Sequence, residues 1–184
     1  MLLIENGYMI DPKSGREGNL DILTDGKVIR KIGPRLADSL TKEELAKTER
    51  VDAYGLLVAP GLVDVHVHFR DPGFTYKEDI ETGARAAAKG GFTTVVMMAN
   101  TKPSIDNAET LAYVLEKGRT TGIHVESCVN VTMGMQGKKL VPMEELAAKG
   151  AVGFTDDGIP LMDEKLVKEA MERAAKLDMP ISFH

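Results

Sequence analysis

The sequence is poor in the residue types that mark several common classes of protein. It has a single cysteine, Cys128, so it can form no intramolecular disulfide, which favours a reducing compartment. Its net charge of -5 lacks the basic excess of a nucleic-acid-binding protein. No apolar run approaches the roughly 20 residues that span a membrane, and the N-terminal segment, which carries Glu5 and Asp11, does not resemble a signal peptide. These absences predict a soluble, cytoplasmic protein with no nucleic-acid or membrane partner.

The first 57 residues have the pattern of a small β-module. Short apolar runs are separated by turns, and the pair Asp25-Gly26 between two such runs is typical of a β-hairpin. The polar stretch LADSLTKEELAKTER indicates a helix before another short strand. We predict a small, β-sandwich-like domain over residues 1–57 and a second domain over residues 58–184.

Strands and helices alternate from Leu57 onward. The predicted strands are LVAPGLVDVHVHF, TTVVMMAN, HVESCVNV, AVGFT and PISFH. The predicted helices run from a Thr75–Glu78 capping box to Lys89, over 107–118, over 142–149, and from Asp163 with the apolar stripe Leu166, Ala170, Ala174 and Leu177. This alternation predicts a parallel sheet in an α/β fold.

The length leaves two architectures open. A complete eight-stranded (β/α) barrel takes about 250 residues, whereas 127 residues follow Leu57. The pattern therefore fits either roughly the first five strands of such a barrel or a doubly wound open sheet, and periodicity does not separate them.

The stretch VDVHVHFRDPG, residues 63–73, places two histidines two residues apart in an apolar strand. Side chains alternate along a strand, so His66 and His68 share one face. Two neutral imidazoles fill an apolar core poorly, because each buried polar group needs a partner. They are well suited to hold a metal ion.

Polar residues also follow the other predicted strands. Asn100 ends the second strand, Asp156 and Asp157 end the fourth, and His184 ends the fifth. In parallel sheets these ends meet at one edge, where active residues gather. Two or three histidines with one carboxylate suit zinc or a neighbouring metal. Each residue also has a simpler reading: Arg70 and Asp71 as a solvated turn, and Asn100 or the acidic pair as turn residues.

Three motifs carry a resemblance to a known family. The runs HFRDPG (68–73), MANTKP (98–103) and GFTDDG (153–158) resemble those of dihydroorotases of the amidohydrolase superfamily, specifically the longer bacterial type. The resemblance implies a (β/α)8, TIM-like barrel of the metal-dependent hydrolase type, of which this chain is the N-terminal portion. It also implies that the β-module is incomplete within this chain.

The resemblance assigns roles to individual residues. His66, His68, Asp157 and His184 would be ligands of one or two Zn²⁺ ions, with Asp157 bridging the metals. Asp157 is preferred over Asp156 because it precedes His184 by 27 residues, the spacing expected in the family. AVGFTDDG has no lysine to carboxylate, so the bridge would be this carboxylate. His68, Arg70 and Asn100 would contact the substrate, and Arg70 offers its carboxylate a planar two-point fork.

The implied activity is the interconversion of dihydroorotate and N-carbamoyl-L-aspartate in pyrimidine biosynthesis. The implied proton-shuttling acid follows the last barrel strand, so we expect little or no turnover from the 184-residue chain alone. The implied partners are the small-molecule substrate and either further copies of the chain or aspartate transcarbamoylase. The alternatives are a hydantoinase- or allantoinase-type cyclic amidase, and a non-catalytic half-barrel that acts as a structural or interaction module.

Overall fold

The computed structural model describes residues 1–183 and divides the chain into two compact units, Met1–Pro60 and Gly61–His184. The predicted boundary after residue 57 lies three residues before this division. None of the helices described in residues 1–183 combines the length and the apolar character needed to cross a membrane.

The first unit consists of two small sheets, a single 3₁₀ turn (Leu36–Ser39) and one short α-helix. Its strands are β1 (Leu2–Glu5), β2 (Tyr8–Asp11), β3 (Arg16–Asn19), β4 (Asp21–Asp25), β5 (Val28–Gly33), β6 (Glu49–Asp52) and β7 (Leu57–Val58), with helix α1 (Lys42–Ala46). The strand orders are β5-β4-β1-β6 and β3-β2-β7. The predicted hairpin is confirmed: Asp25 pairs with Val28 across the turn, and Gly26 has the positive φ of 58° that this turn requires.

The second unit is built around a four-stranded parallel sheet. Its strands are β8 (Leu62–Val67), β9 (Phe92–Met97), β10 (His124–Val129) and β11 (Gly153–Phe154), in the order β11-β10-β9-β8. Its helices are α2 (Ile80–Lys89), α3 (Ala108–Arg119), α4 (Met143–Ala148) and α5 (Glu164–Lys176). One continuous apolar core, which includes Ile80, Val95, Leu111 and Phe154, lies between the sheet and these helices. The predicted parallel sheet is confirmed.

The predicted strand LVAPGLVDVHVHF is in fact two strands in different sheets. β7 pairs with β2 of the first unit, whereas β8 pairs with β9 of the second. The interruption falls at Pro60, which has no backbone N–H to contribute to a ladder. His66 lies within β8, and His68 follows its last residue.

Helix α2 begins later than the sequence predicts. Its cap is Asp79, whose side chain accepts a 2.8 Å hydrogen bond from the backbone N–H of Thr82, not the predicted Thr75–Glu78 box. The preceding residues instead form turns, with the N–H of Phe74 bonded to the carbonyl of Arg70. The other three predicted helices begin and end within one residue of the observed bounds.

The fifth predicted strand is reduced to a bridge. Within the described residues, Ile181 forms a single parallel bridge with Phe154. The N–H of Ser182 donates to the carbonyl of Phe154 at 2.9 Å, and the N–H of Phe154 donates to Pro180 at 3.0 Å. The chain therefore continues the parallel order of the sheet beside β11 over only a few residues.

Candidate metal centre

The parallel register brings the polar strand ends to one edge of the sheet. Val67 of β8 is paired with Met97 of β9, and Val129 of β10 is paired with Phe154 of β11. His68, Asn100 and Asp157 follow these strands and therefore lie at the same edge, as the sequence predicts for parallel strands.

Three of the predicted ligands converge there. One potential ligand atom each from His66, His68 and Asp157 lies within 4.8 Å of the other two. Nε2 of His66 is 3.5 Å from Oδ1 of Asp157, and Nε2 of His68 is 3.5 Å from Oδ2. The two imidazole rings meet edge to face, with centroids 5.1 Å apart. Asp157 is buried, whereas the two histidines are partly exposed to solvent.

These distances fit a metal ion better than direct hydrogen bonds. A hydrogen bond from nitrogen to oxygen is about 2.7–3.2 Å long, shorter than the 3.5 Å observed here. Ligand atoms bound to tetrahedral zinc at about 2.0–2.2 Å lie about 3.3–3.6 Å from one another. Two imidazole nitrogens and a carboxylate oxygen are also a donor set that zinc accepts.

The two adjacent aspartates have different surroundings. Asp156 faces away from the histidines: its Oδ1 accepts hydrogen bonds from the N–H groups of Val131 (2.9 Å) and Thr132 (3.2 Å), and its Oδ2 accepts the hydroxyl of Thr132. It therefore ties the end of β11 to the loop that follows β10. This contact fixes the backbone from which the next residue, Asp157, reaches the histidines.

Asn100 lies between two of the converging side chains. Its Oδ1 is 3.1 Å from Nδ1 of His68, and its Nδ2 donates a 3.0 Å hydrogen bond to Oδ2 of Asp157. Nη1 of Arg70 donates to the backbone carbonyl of Asn100 at 3.4 Å. The structure thus brings Arg70 and Asn100 to the histidine pair. The fourth predicted ligand, His184, lies outside the described residues.

Asp71 corrects the interpretation of residues 70–71 as a solvated turn. Its side chain is fully buried, and it accepts hydrogen bonds from the hydroxyl of Tyr113 (2.9 Å) and from Nζ of Lys117 (2.5 Å). The bond to Asp71 raises the pKa of Lys117, while burial and then the same carboxylate raise the pKa of Tyr113. The sequence did not identify Tyr113 and Lys117 as partners of Asp71. Their i, i+4 spacing predicts that they share one face of a helix, but it does not predict which residue that face contacts.

The chain is similar to proteins of a known family over its whole length. A family model described as dihydro-orotase-like matches residues 55–184. The chain is 55% identical over its whole length to a dihydroorotase of Clostridioides difficile and 53% identical to one of Clostridium acetobutylicum. It spans 42% of the length of each of these relatives.

A solved structure supports the same relationship at the level of the fold. The L-hydantoinase (dihydropyrimidinase) of Arthrobacter aurescens superposes on the whole chain with a TM-score of 0.82 at 21% identity, and the match covers 40% of that enzyme. At this identity the likeness concerns the fold alone. The family match extends over the sheet, the converging side chains and all three motifs, and the chain belongs to the dihydro-orotase-like family.

Proposed function

We propose that this chain is part of a dihydroorotase, a metal-dependent cyclic amidohydrolase that interconverts dihydroorotate and N-carbamoyl-L-aspartate. The observation that carries the proposal is the convergence of His66, His68 and Asp157, whose potential ligand atoms lie within 4.8 Å of one another. The chain is 55% identical to a dihydroorotase, which favours dihydroorotase over the other cyclic amidohydrolases.

The three converging residues would hold zinc, and Asp157 would bridge if two ions bind. A bound zinc ion supplies a Lewis acid and lowers the pKa of water, which hydrolysis of an amide at neutral pH requires. The residues of the chain would orient the reactants around it. His66 and His68 present nitrogens on one side of the space, and the buried Asp157 presents both carboxylate oxygens on the other. His184 is proposed as a ligand of the second ion.

Arg70 and Asn100 would bind the carboxylate of the substrate. Arg70 carries a planar guanidinium that can meet a carboxylate with two parallel hydrogen bonds. The amide of Asn100 carries two hydrogens on Nδ2 and donates one of them to Asp157, which leaves the second for the substrate. His68 lies between these groups and would border the substrate as well as hold the metal.

The remaining features of the proposal extend beyond the described residues. We infer that the four-stranded sheet is the first part of a (β/α)8 barrel whose fifth strand continues from the Ile181 bridge. Assembly with further copies of the chain or with aspartate transcarbamoylase, and a cytoplasmic location consistent with one buried cysteine, are part of the same proposal.

Zinc titration of the purified chain tests the metal centre. We expect one or two zinc sites in the unchanged chain. Zinc binding should weaken at least about 100-fold in each of the variants His66→Ala, His68→Ala and Asp157→Asn. Loss of a residue that only hydrogen-bonds a metal ligand already costs about 10–100-fold in affinity, and these variants lose a ligand itself. His124→Ala is the matched control, because His124 is exposed at the opposite end of β10. An equal loss of zinc affinity in His124→Ala would contradict the proposed site.

A chimera tests the activity. The 184 residues replace the matching part of the Clostridioides difficile dihydroorotase, and hydrolysis of dihydroorotate is compared with hydrolysis of hydantoin. We expect turnover of dihydroorotate, its loss in Asp157→Asn, and an increased KM in Arg70→Lys, because lysine cannot form the two-point fork. Turnover of hydantoin alone would favour the cyclic-amidase alternative. A folded chimera inactive on both would favour a non-catalytic module.

A further inference from the structure

We propose that Asn100 fixes the tautomer of His68 and so prepares its Nε2 for the metal. This inference rests on the proposed metal centre and adds a positioning residue to it. It depends on three atoms whose hydrogen-bonding capacities differ: a carboxylate oxygen, an amide and an imidazole nitrogen.

The carboxylate of Asp157 determines which way the amide of Asn100 faces. An ionised carboxylate only accepts hydrogen bonds, so the atom 3.0 Å from its Oδ2 must be the NH₂ group of Asn100. The reverse orientation would place the amide oxygen against a negatively charged oxygen with no hydrogen between them. Burial of Asp157 makes that arrangement costly, because little solvent is present to screen it.

The amide orientation then determines where His68 carries its proton. With NH₂ directed at Asp157, Oδ1 of Asn100 is the atom 3.1 Å from Nδ1 of His68. An amide oxygen only accepts, so Nδ1 must be the protonated nitrogen of the neutral ring. The lone pair of the ring is then on Nε2, which is the nitrogen 3.5 Å from Asp157 at the shared space.

Asn100 therefore links the carboxylate ligand to the imidazole ligand through its two amide atoms. Metal-binding histidines commonly donate their second N–H to an oxygen that orients the ring, and loss of such a partner weakens metal binding about 10–100-fold. Here one side chain contacts two ligands at once, so the site is arranged before any metal arrives.

The test is ¹⁵N NMR of the histidine rings in the metal-free chain at a pH where they are neutral. His68 is assigned by its absence in His68→Gln. We expect the Nδ1–H form of His68 in the unchanged chain. In Asn100→Ala the acceptor is lost, so His68 should show the Nε2–H form or a mixture. Asn19→Ala, a change at an exposed strand position in the first unit, should leave His68 unchanged.

A zinc titration provides the second measurement. Asn100→Ala should bind zinc about 10–100-fold more weakly than the unchanged chain, while circular dichroism shows the same fold. An unchanged Nδ1–H signal in Asn100→Ala would overturn the inference. The NMR measurement needs no metal, so it decides the role of Asn100 even if the unchanged chain binds no zinc, a result that would count against the proposed function instead.

Discussion

At the scale of single residues, Asp71 connects the loop that carries Arg70 to helix α3. Its carboxylate is fully buried and has partners on two different elements, the side chains of Tyr113 and Lys117 on α3 and the N–H of Ile80 at the start of α2. A buried carboxylate is tolerated only when its oxygens are paired. The pairing therefore holds Arg70 in place while contributing to stability.

Replacing Lys117 should reveal this contribution. Lys117→Met keeps most of the aliphatic chain but removes the ammonium group, which leaves the buried Asp71 one charged partner short. We expect a loss of about 1–3 kcal/mol in the free energy of unfolding, measured by urea denaturation. Lys168→Met is the control, because Lys168 is exposed and its partner Glu172 is 3.9 Å away. A change there should stay within about 0.5 kcal/mol.

The ion pair between Lys117 and Asp71 should also make the free energy of unfolding depend on pH, with a sign that follows from the pKa of Lys117. The pKa of Lys117 is raised above its ordinary value of 10.5 in the folded chain. Its stabilising effect is therefore complete below pH 10.5 and is lost as the pH rises through the folded value. The difference in stability between the unchanged chain and Lys117→Met should be constant from pH 7 to 9 and shrink above pH 10.5. A difference that grows at high pH would contradict the assignment.

At the scale of elements, helix α2 supports the metal centre through Phe69. This residue lies between His68 and Arg70 in the chain, and its ring packs against Gly83 of α2. A Cβ atom at Gly83 would lie 2.3 Å from Cε1 of Phe69, and the buried ring has little room to move. The close approach of α2 thus requires glycine and fixes the backbone on both sides of Phe69.

Gly83→Ala should therefore destabilise the chain despite better helix propensity. Alanine gains up to about 1 kcal/mol in a helix, whereas overpacking a core costs about 1–3 kcal/mol. We expect a net loss in urea denaturation, together with weaker zinc binding as His68 shifts. Gly122→Ala is the control, because a Cβ there meets no atom within 4 Å. Equal stability of the two variants would show that the Phe69 ring can shift to accommodate the new methyl group without destabilising the chain.

At the scale of the whole molecule, β8 lies at an edge of its sheet and exposes apolar side chains. Leu62, Val63 and Val65 are between 53% and 68% exposed. An apolar edge strand is a template for pairing with another chain. We therefore expect the 184-residue chain to associate as its concentration rises, as measured by sedimentation velocity.

Val65→Lys should reduce this association. Loss of one valine from an interface costs about 1.5 kcal/mol or more of association free energy. The concentration at which half of the chains are associated should therefore rise at least about tenfold. Met171→Lys adds the same charge at an exposed apolar residue of helix α5, outside any strand edge. If both variants reduce association equally, net charge and not the β8 edge is responsible.

The sequence alone determined the parallel alternation of strands and helices and the residues at the strand ends. These features depend on local rules: side-chain periodicity predicts the strands, and Asn107 and Asp163 cap their helices by contacts within a few residues. The family resemblance through HFRDPG and GFTDDG also needed only the linear order of residues. The prediction was wrong where two nearby capping signals competed: the helix begins at the Asp79 cap and not at the predicted Thr75–Glu78 capping box.

The tertiary structure decided which side chains meet. Asp156 and Asp157 are adjacent and chemically identical, so no local rule separates them, and in the sequence only the family spacing to His184 favoured Asp157. Only the approach of the loop after β10 assigns the first to backbone N–H groups and leaves the second facing the histidines. The contacts of Asp71 with α3 and of Asn100 with Asp157 join residues 42 to 57 positions apart. Such contacts form when strands and helices pack, because packing brings together groups that the sequence keeps far apart.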